Sequence, residues 1–175
     1  MSDEIEKAES KDVSFSADAL AEYEKILTHY PQRRAALMSV LWLAQREFGW
    51  VGTEVQAYIA SLMELPVAWV EGAVTFYTMY YTRPMGKHHI QVCTNLSCQL
   101  RGADEVVSAV RRRLDIAPGE TSSDREFSLD CVECLGSCGT APVIQLGSGS
   151  FAENLDVEQA LALIDRLAAG EQAGD

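Results

Sequence analysis

Two pairs of cysteines constrain this chain more than any other feature of its sequence. Cys93 and Cys98 form a C-x4-C pair, Cys134 and Cys138 form a C-x3-C pair, and 35 residues separate the pairs. Nearby glycines at 102, 136 and 139 place both pairs in loops. Two loop-borne pairs of thiols can close around one metal centre, so the fold is expected to bring these loops together.

The residue type leaves the identity of that centre open, because iron–sulfur clusters and structural zinc both prefer thiolate ligands. Structural zinc usually takes a C-x2-C pair at a tight turn. A two-iron core offers each pair its own iron, and wider loops containing glycine can wrap it. The spacing therefore favours a [2Fe-2S] cluster, while a zinc-stabilised interaction module and four unrelated buried thiols remain as alternatives.

The fifth cysteine, Cys131, lies three residues before Cys134 and completes a C-x2-C motif. In dithiol oxidoreductases this motif follows an early strand and begins a helix, whose dipole lowers the pKa of the nucleophile. Here the motif comes late in the chain, between strands. Cys131 is therefore predicted to be an inert thiol at the end of a strand.

The charge of the chain argues against several classes of partner. Its 14 Lys and Arg residues face 26 Asp and Glu residues, a formal net charge of −12, which disfavours nucleic acids and anionic lipid surfaces. No apolar stretch approaches the ~18 residues of a membrane span. The polar residues 1–14 lack the features of an export signal and are predicted to be a disordered tail.

The segment from residue 15 to 85 has the periodicity of four short helices. Ser16 can cap the first helix and Pro31 ends it, and the second runs from about Arg33 to Phe48 with Gly49 as its C-terminal cap. Thr53 and Gln56 form a potential capping box for the third, and Pro66 suits the first turn of the fourth. The apolar stripes of the first three helices are Leu20, Tyr23, Leu27 and Tyr30; Leu37, Val40, Leu41, Ala44 and Phe48; and Val55, Tyr58, Ile59, Leu62 and Met63.

The periodicity changes at about residue 86 to that of an α/β domain extending to residue 170, with a short tail at 171–175. Strands are predicted at 89–93, 127–130, 143–146 and near Phe151, and a helix at 103–114. Asp156 and Gln159 begin a last amphipathic helix through Leu167. The fold class is therefore α+β, an N-terminal helical bundle followed by an α/β domain.

Other chemically capable residues give weaker signals. His88 and His89 are adjacent on a strand and point to opposite faces, so they are predicted to be solvent-exposed or interface residues rather than metal ligands. The aromatic residues Trp42, Trp50, Trp69, Phe76, Tyr77, Tyr80 and Tyr81 indicate core and interface. No nucleotide-binding glycine loop or nucleophile elbow is present in the sequence, so no catalytic residue is assigned.

Three stretches resemble the E subunits of bacterial NADH-quinone oxidoreductase, respiratory complex I. They are GAVTFY at 72–77, GKHHIQVCTNLSC at 86–98 and ECLGSCGTAP at 133–142, within a resemblance that covers about residues 16–168. The resemblance implies that the α/β domain is thioredoxin-like and carries one [2Fe-2S] cluster. It implies the ligands Cys93, Cys98, Cys134 and Cys138, and it leaves Cys131 outside the set.

The same resemblance implies a function in single-electron transfer without chemistry on NADH. It implies a partner subunit that bears FMN and oxidises NADH, and through that partner a place in the peripheral arm at the inner face of the bacterial plasma membrane. The aromatic residues of the helical bundle, more than so small a unit can easily bury, predict that the partner docks there. Soluble NAD-linked hydrogenases and formate dehydrogenases contain similar subunits. They are the alternative host complexes.

Overall fold

The computed structural model describes residues 13–147 and 149–170. Most of the tail predicted at residues 1–14, and the tail predicted at 171–175, therefore lie outside the described residues, although Val13 packs against the helical core. The chain divides into two compact units, Met1–Pro84 and Met85–Asp175. Among the described helices, none combines the length and the apolar character needed to cross a membrane.

Among its described residues, the first unit contains four α-helices: α1 (Ala17–Thr28), α2 (Leu37–Phe48), α3 (Thr53–Met63) and α4 (Val67–Phe76), with a short 3-10 turn (Arg33–Ala36) before α2. The Ser16 side chain caps α1 by accepting a hydrogen bond from the backbone N–H of Ala19, as predicted. Gly49 ends α2 with φ of 83°, which is the left-handed conformation expected of a glycine C-cap.

Two predictions for this unit are wrong in detail. Thr53 is the first residue of α3 rather than its cap, and the residue at the cap position is Gly52. The Gln56 side chain donates instead to the carbonyl of Val51, so no capping box forms. Leu20, predicted on the buried stripe of α1, is 39% exposed because Ala19 and Tyr23 form the buried face.

Two buried glutamines fix the connections between the helices. Gln45 on α2 donates to the carbonyl of Met79 and accepts from the backbone N–H of Tyr81. Gln56 holds Val51 in the α2–α3 connection. Each amide therefore satisfies a backbone group that would otherwise be costly to bury. The fully buried side chains around them are Val40, Leu41, Val51, Ile59, Met63, Val70 and Val74.

The described part of the second unit forms a five-stranded sheet with three α-helices. Its strands are β1 (His88–Cys93), β2 (Glu120–Thr121), β3 (Phe127–Val132), β4 (Ile144–Leu146) and β5 (Phe151–Ala152), and its helices are α5 (Leu96–Leu100), α6 (Ala103–Leu114) and α7 (Val157–Ala168). The sequence predicted α6 at these bounds and the capping box of Asp156 and Gln159 on α7, which forms with both hydrogen bonds. It missed β2 and α5.

The pairing of β1 with β3 determines where the cysteines lie. The strand order is β2-β3-β1-β4-β5, and β1 and β3 are parallel while the other neighbours are antiparallel. Cys93 at the end of β1 lies opposite Val132 at the end of β3. Because parallel strands end at the same edge of a sheet, the loops that follow β1 and β3 emerge side by side.

One face of this sheet is covered by α6 and α7. Ile90, Leu129 and Ile144 on the three central strands share a face by their register, and they join Val106, Val110 and Ile164 of the two helices in one buried cluster. Branched side chains in the central strands suit the pleated surface, and the 3.6-residue spacing on α6 directs Val106 and Val110 to it. The sheet edge bearing the cysteine loops is thus held by a rigid core.

Gly86 lies where the chain enters this sheet, and its substitution should be strongly destabilising. An added Cβ would lie 2.5 to 2.8 Å from three backbone atoms of Phe127, and backbone cannot move aside as a flexible side chain can. We expect Gly86→Ala to lower the free energy of unfolding by about 3 kcal/mol, at the upper end of overpacking penalties. Urea denaturation measured by circular dichroism tests this.

The matched control for that substitution is Gly72→Ala in α4, where the added methyl group meets nothing within 4 Å. Alanine is favoured over glycine in a helix by about 1 kcal/mol, so this variant should be as stable as the parent or more so. Equal stability of the two variants would contradict the steric argument at Gly86.

Candidate metal centre

The first cysteine loop presents two buried thiols. Cys93 is the last residue of β1 and Cys98 lies in α5, and they are 2% and 3% exposed. The backbone N–H of Cys93 donates to the carbonyl of Val143, and the N–H of Thr94 donates to the carbonyl of Val132. The start of this loop is therefore tied to the end of β3 and to the residue that precedes β4.

The second loop presents two exposed thiols at the same edge of the sheet. Cys134 and Cys138 follow β3, and their Sγ atoms are 3.5 Å apart. The backbone N–H of Gly136 donates to the Sγ of Cys134 at 3.4 Å, and Gly136 has φ of 84°. The left-handed conformation, which glycine adopts without steric cost, turns the loop so that its N–H faces the sulfur.

The pKa values of the two buried thiols are shifted in opposite directions. Burial opposes ionisation of Cys93, but N–H groups of Asn95 and Leu135 and the thiol of Cys98 donate to its sulfur and lower its pKa below the ordinary value. Burial, together with the bond to Cys93, raises the pKa of Cys98 to about 11, although the N–H of Val143 opposes this. The N–H groups of both loops thus favour negative charge on sulfur.

Thiols of the two loops also interact with each other. The hydrogen bond to Cys134 and the charge of that residue raise the pKa of Cys138, and the charge of Cys93 adds to this effect. The charge of Cys138 in turn raises the pKa of Cys98. The Ser97 hydroxyl of the first loop donates to Cys138 and lowers its pKa. The four predicted ligands therefore form one electrostatically connected group.

Cys131 stands outside this group. It lies within β3 opposite Val92, one residue before the end of the strand, and its side chain is exposed. Burial of part of the thiol raises its pKa, and the charges of Asp130 and Asp104 raise it further. A raised pKa means less thiolate at neutral pH, and the thiolate is the reactive form. These properties agree with an inert thiol.

A hydroxyl and carboxylate cluster that the sequence analysis missed supports the second loop. Ser137 precedes the short 3-10 turn Cys138–Thr140 and Thr140 ends it, and their hydroxyls both donate to Oε1 of Glu153, from Thr140 at 2.7 Å. The backbone N–H of Asn154 donates to the carbonyl of Thr140. Glu153 lies 13 to 16 residues further along the chain. No local sequence pattern indicates such a contact.

The two histidines separate to opposite faces of β1, as predicted, but His89 is not solvent-exposed. His89 is 5% exposed and its Nε2 lies 2.5 Å from Oδ2 of Asp130 on the neighbouring parallel strand. The ring of His88 lies 5.4 Å from that of Phe127. In residues 13–147 and 149–170, no three His, Cys, Asp or Glu side chains converge on one position suited to a single metal ion.

The donor set fits an iron–sulfur cluster. It supplies four thiols in two pairs, one per loop, together with backbone N–H groups from Asn95, Leu135, Gly136 and Val143 directed at the sulfurs. Thiolate ligation of two irons leaves negative charge on the sulfurs, and N–H donors offset such charge. Two of the thiols are exposed, so the same arrangement leaves one side of the site accessible from solvent.

Comparison with known proteins agrees with the sequence resemblance. The family model described as thioredoxin-like [2Fe-2S] ferredoxin matches residues 23–168. The E subunit of the NADH-quinone oxidoreductase of Rickettsia bellii is 40% identical over 157 residues, which are 88% of this chain and 93% of that protein. NADH-quinone oxidoreductase subunit 2 of Thermus thermophilus is 42% identical over 151 residues, 85% of this chain and 83% of that protein.

A solved structure shares the fold at much lower sequence identity. The crystal structure of an NAD+-reducing [NiFe]-hydrogenase in the air-oxidised state superposes with a TM-score of 0.68 over 78% of this chain, at 19% identity. The match spans 23% of the hydrogenase chain. At this identity the likeness concerns the fold alone.

Proposed function

The chain belongs to the family of thioredoxin-like [2Fe-2S] ferredoxins, and from this membership we propose that it is the electron-transfer subunit of an NADH-quinone oxidoreductase. The observation that carries the proposal is the convergence of two cysteine loops at one sheet edge, in a chain about 40% identical along most of its length to subunits of that enzyme. A [2Fe-2S] cluster supplies one-electron transfer when bound.

Cys93 and Cys98 would hold one iron, and Cys134 and Cys138 the other. The pairing within each loop supports this assignment, because the 3.5 Å separation of the Cys134 and Cys138 sulfurs suits two ligands of one tetrahedral metal. Backbone N–H groups then offset the thiolate charge. Cys131, on the strand before the second loop, takes no part.

Division of labour with a flavin-bearing subunit follows from the same proposal. NADH delivers two electrons as a hydride, whereas an iron–sulfur centre takes one, so FMN and the NADH site belong on the partner. We assign partner docking to the helical unit, because it exposes large apolar side chains: Phe76 is 76% exposed, Trp69 48% and Trp42 44%. Exposed aromatic residues of this kind are enriched at interfaces.

The proposal places the chain in the bacterial cytoplasm, bound through its partner to the peripheral arm at the inner face of the plasma membrane. The alternative role is that of the equivalent subunit in a soluble NAD-linked hydrogenase. The fold shared with such a hydrogenase supports this alternative. The higher identity to NADH-quinone oxidoreductase subunits favours the first host.

Metal analysis and spectroscopy of the purified chain test the cluster. We expect two iron and two sulfide per chain, visible absorption with a red-brown colour, and one unpaired electron per chain after reduction with dithionite, as for an antiferromagnetically coupled iron pair. A colourless protein with one bound zinc would identify the zinc-stabilised module instead. About four irons per chain would exclude the proposed ligand pairing.

A further inference from the structure

Glu153 connects the second cysteine loop to a different part of the chain. It follows β5, and its Oε1 accepts hydrogen bonds from the hydroxyls of both Ser137 and Thr140. Those two hydroxyls also lie 2.7 Å from each other. One carboxylate oxygen and two hydroxyls therefore form a hydrogen-bonded cluster at the turn that contains Cys138.

The backbone reinforces this connection. The N–H of Asn154 donates to the carbonyl of Thr140 at 2.7 Å, and the N–H of Leu155 donates to the carbonyl of Pro142 at 3.1 Å. Leu155 itself is buried in the core that α7 shares with the sheet. The segment 153–155 thus links the rigid core to the loop. Of its contacts with the loop, the one between Glu153 and Ser137 lies nearest in sequence to Cys138.

The charge of Glu153 is retained at neutral pH. Hydrogen bonds from Ser137 first, and then from Thr140, lower the pKa of the Glu153 carboxyl below its ordinary value. No Lys or Arg side chain forms a salt bridge with Glu153 among the described residues of the second unit. An uncompensated negative charge beside a metal centre opposes the addition of another electron there.

We propose that Glu153 is a positioning residue that anchors the Cys134–Cys138 loop and that its negative charge lowers the reduction potential of the centre bound there. The inference rests on the proposed function, since it requires a redox-active cluster on the four cysteines. The hydrogen bonds account for the anchoring and the charge for the effect on potential, so the two parts can be separated by substitution.

Glu153→Gln removes the charge and keeps a carbonyl oxygen as acceptor. We expect the full-length chain with this substitution to retain its cluster, with an equilibrium constant for one-electron reduction raised about threefold, because one negative charge near a partly exposed site is removed. At 59 mV per tenfold change, this is an upward shift of about 30 mV. Potentiometric titration followed by electron paramagnetic resonance measures it.

Glu153→Ala removes both charge and acceptor and tests the anchoring. Ser137 and Thr140 then lose their shared partner, so we expect iron to be lost to a chelator several times faster than from the parent chain or from Glu153→Gln. Iron release is followed by the decay of visible absorption at fixed chelator concentration. Release at the parental rate from Glu153→Ala would overturn the anchoring role.

Glu126→Gln is the matched control for charge. The Glu126 side chain is 45% exposed and precedes β3, at the edge of the sheet opposite the cysteine loops, where it pairs with Lys87 at 3.5 Å. This variant should keep the parental potential. A parental potential in Glu153→Gln, an equal shift in Glu126→Gln, or loss of the cluster from Glu153→Gln would each overturn the inference. A parent chain without iron and sulfide would instead overturn the proposed function.

Discussion

Each of four alanine substitutions will abolish or cripple the cluster: Cys93→Ala, Cys98→Ala, Cys134→Ala and Cys138→Ala. Each leaves only three thiolates, so one iron is open to water. We expect iron content and visible absorption to fall by at least about tenfold in each variant relative to the parent chain. Loss should be equally severe at the buried pair and at the exposed pair, since each pair serves one iron. Iron and sulfide analysis of proteins purified side by side gives the measurement.

Cys131→Ala is the control for this series and should retain the full cluster. Its thiol lies within β3, and Asp130 and Asp104 rather than other cysteines are the charged groups that raise its pKa. If Cys131→Ala loses its colour while Cys134→Ala keeps it, the ligand of the second loop is Cys131. The assignment of the second iron would then be wrong.

The isolated chain will not reduce an artificial acceptor with NADH, and activity will appear only when the flavin-bearing partner is added. No phosphate-binding glycine loop or dinucleotide-binding βαβ fingerprint is present in the sequence, and electron transfer from a hydride donor requires a group that divides the pair. Dye reduction is measured with flavin-free protein, with and without partner. NADH-dependent reduction by the chain alone would contradict this division of labour.

Exposed aromatic residues of the helical unit should determine how tightly that partner binds. Phe76 is 76% exposed and touches Tyr77 edge-on, so Phe76→Ala removes contact area without opening the core. We expect this variant to bind the partner at least about 30-fold more weakly, as for a hot-spot residue. Leu20→Ala on α1 is the control in the same unit. Equal affinities of both variants and the parent would move the interface elsewhere.

Elements with strong local signals could be predicted from the sequence. The alternation of Ile90 and Val92 gave β1, and the caps at Ser16 and Asp156 gave the starts of α1 and α7. In each case the residues that decide the structure lie within a few positions of one another. The convergence of the cysteine loops was expected from their chemistry rather than from any local pattern.

Features that depend on tertiary contacts could not be predicted in this way. The Thr53 and Gln56 pattern resembles a capping box, but a buried carbonyl of Val51 competes for the Gln56 amide. Strand β2 has only two residues and forms by pairing with β3, so its own sequence carries almost no signal. Glu153 reaches Ser137 only after the sheet has brought their segments together.

The short helix α5 was missed for a different reason. Asn95 precedes it as an N-cap residue, and Leu96 and Leu100 follow at a spacing of four, so a helical signal is present. Both leucines are exposed, at 67% and 80%, and the buried residue of the turn is Cys98. When a cysteine is considered only as a metal ligand, its second role as the buried apolar residue of a short helix is overlooked.

With the proposed cysteine ligands, the parallel pairing of β1 and β3 would make the bound centre a cross-link within the chain as well as an electron carrier. Ligands on residues 93 and 138 would close a loop of about 46 residues, for which the chain-entropy model of a cross-link gives a stabilisation of about 4 kcal/mol. A nascent chain must therefore reach Cys138 and pair β3 with β1 before it can hold the centre. Loss of the centre would return that entropy to the unfolded chain.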